Sequence, residues 1–83
     1  MAVIQPSLFF LFDRFPEKKE NIKTLFKENE SFKTLCEDYH QCAEALRFWN
    51  QSSSEDAPAR VREYRALLQE LEEEILKNVN EST

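Results

Sequence analysis

Two matched apolar stripes set the strongest limit on what this chain can fold into. Phe32, Leu35, Tyr39, Cys42, Leu46 and Trp49 follow one another at spacings of 3-4-3-4-3. Val61, Tyr64, Leu68, Leu71 and Ile75 repeat that spacing, with Asn78 in the last place. Residues three and four apart share one face of a helix, so each set predicts an amphipathic helix. Laid head to tail, Trp49 faces Val61, Leu46 faces Tyr64, Cys42 faces Leu68, Tyr39 faces Leu71, Leu35 faces Ile75 and Phe32 faces Asn78. One register satisfies every pair. That predicts an antiparallel helical hairpin with the shallow crossing of knobs-into-holes packing. The helices span about 30–50 and 57–79, with 51–56 as the loop. Ser52, Ser53, Ser54 and Asp56 supply turn and capping oxygens there, and Pro58 is tolerated in a first turn.

A two-helix hairpin does not suffice. Ordering two helices costs more conformational entropy than one seam of side chains returns by burial. Something else must cover it: the N-terminal segment, a second copy or another protein. Residues 7–28 supply the first option. Leu8, Leu11, Phe12 and Phe15 form one face of a short helix capped by Ser7, with Phe9 and Phe10 pointing elsewhere. Pro16 ends that segment and can open the next. The next helix, from Glu17 to about Lys27, has an acidic start and a basic end that suit its dipole. Asn29 breaks it, closing one helix in the left-handed region and capping the next. The N-terminal aromatics either cap the hairpin core or form an exposed patch for a partner.

Composition narrows the function classes. With 83 residues there is room for one small domain. The absence of Gly excludes phosphate-binding glycine loops and dinucleotide fingerprints. A net charge of −5, concentrated in the last third, makes nucleic acid and anionic membrane poor partners. The apolar run Leu8–Phe12 is too short to span a bilayer, and Met1–Ile4 lacks a basic secretory start. The expected location is the cytoplasm.

Chemistry-bearing residues are sparse. Cys36 and Cys42, six apart, point about 120° away from each other on one helix, so they cannot bridge and are read as free thiols. Cys36 and His40 share a face, but His40 is the only histidine and no second ligand pair completes a zinc site. No oxyanion hole accompanies them. Glu70, Glu72, Glu73 and Glu74 read as a solvated face, and so do Lys18, Lys19, Lys23 and Lys27 and Arg60, Arg62 and Arg65, each interleaved with acids.

From Phe15 onward the chain resembles the YdcH-like family of small bacterial helical proteins of unknown function. The residues that carry this are Phe15-Pro16-Glu17, Ile22, Leu25, Glu28-Asn29, Phe32, Leu35 and Tyr39. Ala66 to Ile75 occupies the place of the family's closing helix. That helix is lysine-rich in the family and acidic here, with Lys77 near its end. The resemblance implies a short helix plus a helical hairpin and no catalytic residues.

The expectation is an all-α, non-enzymatic protein, self-associating or bound to a protein partner, with no cofactor, metal or small-molecule substrate. Its expected interaction residues are Leu8, Phe9, Phe10, Leu11, Phe12, Leu67, Leu76 and Val79. The alternative is a peripheral membrane or nucleoid-associated protein that uses Leu8–Phe12 as a wedge beside Lys18, Lys19 and Lys23.

Overall fold

The hairpin is formed, and the N-terminal helices lie across only one end of it. The computed structural model describes residues 6–81. The order is α1 (Pro6–Arg14), a 3-10 turn (Pro16–Lys18), α2 (Lys19–Glu28), α3 (Glu30–Asn50) and α4 (Ala57–Glu81). No strand occurs among the described residues. The fold is all-α, with α3 packed along α4 and both α1 and α2 against α3. The opening Met1–Ile4, read as lacking a basic secretory start, lies outside the described residues. Helix α4 runs past its expected end at 79 to include Asn80 and Glu81, and Ser82 and Thr83 also lie outside.

Local chemistry places the helix ends. Asn29 Oδ1 accepts the Phe32 N–H at 3.0 Å and so caps α3. Asn29 is extended (φ −126°, ψ 109°), not left-handed as its sequence position suggested. Its N–H still reaches the Leu25 carbonyl at 2.8 Å, so one residue serves both helices without positive φ. In the hairpin loop the Ser52 and Ser54 hydroxyls accept the N–H groups of Ser54 and Asp56, at 3.1 and 3.3 Å. These side-chain turns reverse the chain without glycine. Ser7 is not a cap. Helix α1 already begins at Pro6, and Ser7 is buried inside its first turn.

The core is graded along the hairpin. Leu11, Ile22, Phe26, Phe32, Cys36, Tyr39, Ile75 and Val79 form one buried cluster where all four helices meet. Leu35, Leu68 and Leu71 pack against it. Beyond them, towards the loop, Leu46, Trp49, Val61 and Tyr64 are only half-buried. The expected seam therefore exists, but α1 and α2 complete it at one end alone. Val79, not Asn78, holds its last place. After Ile75 the buried line continues four residues on, into the space that α2 closes. Asn78 is left half-buried, and its amide donates to the Glu74 carbonyl at 2.8 Å.

Truncating Ile75 to Ala in the covered end should therefore cost about 2–5 kcal/mol, the usual loss for a fully buried large aliphatic residue. Leu46→Ala, in the open end, should cost substantially less. Urea denaturation of the two variants checks the gradient, and equal losses would contradict it.

Candidate interaction surface

Helix α1 is held by a clasp on Tyr39. Its ring is fully buried, with Phe10 at 5.5 Å and Phe15 at 6.4 Å between centroids. Arg14 Nε donates to the Tyr39 hydroxyl at 3.2 Å, and Arg14 Nη2 donates to Glu72 at 3.0 Å. One guanidinium thus ties α1 to α3 and α4 together. The Tyr39 pKa is raised, chiefly by burial, although donation from Arg14 opposes the shift. Hydrogen bonding to Tyr39 and then to Glu72 pushes Arg14 further into its charged range.

This clasp redistributes the residues expected on an N-terminal patch. Leu11 is in the core and is not available to a partner. Leu8, Phe10 and Phe12 are half-buried. Phe10, expected to point away, turns inward against Tyr39 and also stacks on His40 at 5.2 Å. The reason is that α1 packs against both α2 and α3, so it buries more than one stripe. Phe12 carries Lys19 over its ring at 5.3 Å. Phe9 alone of the five stays largely exposed, at 55%. The off-seam residues of α4 divide in the same way. Val79 is a core residue, because the N-terminal layer closes over it. Leu76 is half-buried beside Phe15 and Pro16. Leu67 is exposed, at 42%.

The hairpin face turned away from α1 and α2 remains uncovered. On α3 it presents Thr34, Asp38, Gln41, Ala45 and Phe48; on α4, Arg60, Tyr64, Leu67, Leu71 and Glu74. None of these is buried. Between the helices runs a groove of about 420 Å³ floored by Cys42 and walled by Gln41, Ala45, Tyr64, Leu67 and Leu71. At its open end Phe48 is 64% exposed and meets Trp49 edge-on at 5.2 Å. Sequence reasoning identified Leu67 but missed Phe48. The signal was present, since Phe48 is a large apolar residue one place off the stripe, next to a Trp that belongs to it. The large apolar residues that stay exposed are thus Phe48 and Leu67 on the hairpin and Phe9 on α1.

The groove does not resemble a reaction centre. The Cys42 thiol donates to the Tyr64 carbonyl at 3.4 Å, and burial raises its pKa. Burial and then the neighbouring Glu37 push Cys36 to about 12, far from a thiolate nucleophile. Cys36 and Cys42 are both free. His40 lies 3.6 Å from Glu44. No cluster of three potential metal ligands is found among the described residues. No described helix is long and apolar enough to cross a membrane. Comparison with protein-family models, curated proteins and solved structures finds no match. None of the three identifies a YdcH-like family.

The buried thiols make stability fall in alkali. The folded protein holds the Cys36 proton more tightly than the unfolded chain, so deprotonation favours unfolding. Stability should be fully present below the ordinary thiol value of 9.0 and decline as pH rises towards about 12. Denaturation midpoints measured across that window should drop, and Cys36→Ala should flatten the drop. An unchanged slope in the variant would remove Cys36 as its source.

Proposed function

We propose that the protein is a non-enzymatic helical interaction module whose working surface is the open face of the hairpin. The observation that carries this reading is the exposure of Leu67, which walls the groove between α3 and α4, and of Phe48, three residues along α3 from the groove residue Ala45. Large apolar side chains grouped on an uncovered face are where a helical partner gains the most burial. Thr34, Asp38, Arg60 and Glu74 rim the apolar centre, giving the polar border that interaction surfaces have. The raised thiols and the single histidine offer no assembled nucleophile, which supports a binding role over a catalytic one.

The membrane or nucleoid alternative draws less support. Its wedge needed Leu8–Phe12 free, and of these Leu11 is buried and only Phe9 is largely exposed. A recess lined by Leu8, Phe26, Lys23, Lys27 and Lys33 does combine apolar and basic groups, but Glu30 is part of its rim.

A photo-crosslinking phenylalanine analogue at position 67 or 48 of the full chain, expressed in its host, should give protein–protein adducts. The same analogue at exposed Glu20, on α2, should not. If neither position 67 nor 48 yields an adduct in a chain that keeps its helical spectrum, the open face is not the working surface.

A further inference from the structure

We propose that the occupant of the open face is a second copy of the same chain, related by a two-fold axis perpendicular to the helices at Leu67. The inference rests on the reading of that face as an interaction surface and gives it a specific partner. Residues seven apart lie two turns along a helix, on one line. Arg60, Leu67 and Glu74 are such a line on α4, and all three side chains are exposed. The exposed leucine stands midway between a positive and a negative residue. An antiparallel copy centred there sets Arg60 against the partner's Glu74 and Glu74 against the partner's Arg60. Leu67 meets the partner's Leu67, with Tyr64 and Leu71 beside it. The wider charge pattern of α4 agrees. Arg60, Arg62 and Arg65 precede Leu67, and Glu70, Glu73 and Glu74 follow it.

Helix α3 follows the same symmetry. Thr34, Gln41 and Phe48 form its seven-residue line, and Gln41 shares the groove with Leu67. The same axis lays α3 antiparallel on the partner's α3, setting Phe48 between the partner's Thr34 and the partner's Gln41 and removing its ring from water. The product is a four-helix bundle whose outer sides carry the two N-terminal layers. The other face-to-face two-fold, running along the hairpin, is disfavoured by charge. It would set α4 on the partner's α3 and bring Glu70 and Glu74 onto the partner's Asp38.

The size is adequate. Two helices of roughly 30 Å, set about 10 Å apart, present on the order of 600 Å² each side, at the lower bound for a specific dimer. One approach is unfavourable. Glu63 comes near the partner's Glu70 at the rim. Arg60 already holds Glu63 at 3.1 Å, and its fork has donors left for the partner's Glu74.

Sedimentation equilibrium of the full chain should give twice its 9.9 kDa mass. Arg60→Glu and Glu74→Arg should each weaken the dimer about tenfold, because each turns two attractions into repulsions. An equimolar mixture of the two variants should form a heterodimer at wild-type strength, since both pairs are then complementary. Leu67→Asp should be monomeric with an unchanged helical spectrum, and Glu70→Lys should dimerise more tightly than the parent. A monomer up to about millimolar concentration would overturn the proposal, as would a dimer indifferent to Leu67→Asp or a variant mixture that fails to recover. Adducts from position 67 to a different protein, with a monomeric chain, would overturn the two-fold alone and leave the interaction reading standing.

Discussion

The structure depends on the burial of Tyr39. It sits in the middle of the α3 seam, yet its contacts are shared by three other pieces of the chain. Phe10 and Phe15 cover its ring from the α1 side, and Arg14 links its hydroxyl to Glu72 of α4. A two-helix hairpin leaves one side of every seam residue facing water. At Tyr39 that side is closed by α1, and closure there produces the continuous buried cluster from Leu11 to Val79. The hydroxyl also needs a partner once it leaves water, and Arg14 supplies it. Arg14 is itself half exposed, so its own ion pair with Glu72 contributes little. Its value is positional, since it fixes α1 across the hairpin at one height.

The same closure explains why the rest of the hairpin is different. Helix α1 is too short to reach both ends, and α2 runs beside it against the early turns of α3. Loopward of Cys42 and Leu68 the stripe is therefore a bare pair of helices with half-buried contacts, and Ala57 beside the turn is the one buried residue there among those described. Leu46, Trp49, Val61 and Tyr64 keep the stripe's periodicity without the stripe's burial. Periodicity records which face is shared between two helices. It does not record how many further layers cover that face.

That distinction marks how much was legible in the sequence. The hairpin helices were, with α3 spanning Glu30–Asn50 as its stripe and its Asn29 cap implied. The serine-based loop was too, because Ser and Asp offer turn-forming oxygens where glycine is absent. The N-terminal layer was only half legible. The face of Leu8, Leu11, Phe12 and Phe15 put Phe9 outward, as it is, but in five consecutive apolar residues nothing local showed that Phe10 turns in. Their division is a tertiary fact, set by α1 lying against both α2 and α3. Val79 was misplaced for a related reason. A strict two-helix register stops at Asn78, and only the third layer makes the next position the buried one. The open face was legible at Leu67, and Phe48, one place off the stripe, carried the same kind of signal without being singled out.

Graded burial also ties stability to whatever occupies the open face. The covered end can fold with what the chain itself provides. The loopward end has fewer apolar contacts per turn, so its local opening costs less than global unfolding. A molecule that binds both α3 and α4 there must select the closed, helical arrangement of that end. Its binding free energy then adds to the stability of the folded state and grows with its concentration. Tyr64 and Cys42 already join the two helices beneath the groove through one thiol–carbonyl hydrogen bond. Covering that contact excludes water from it and strengthens it. The loopward end is thus the part of the fold that has most to gain from a bound molecule, which is the energetic form that the proposed association requires.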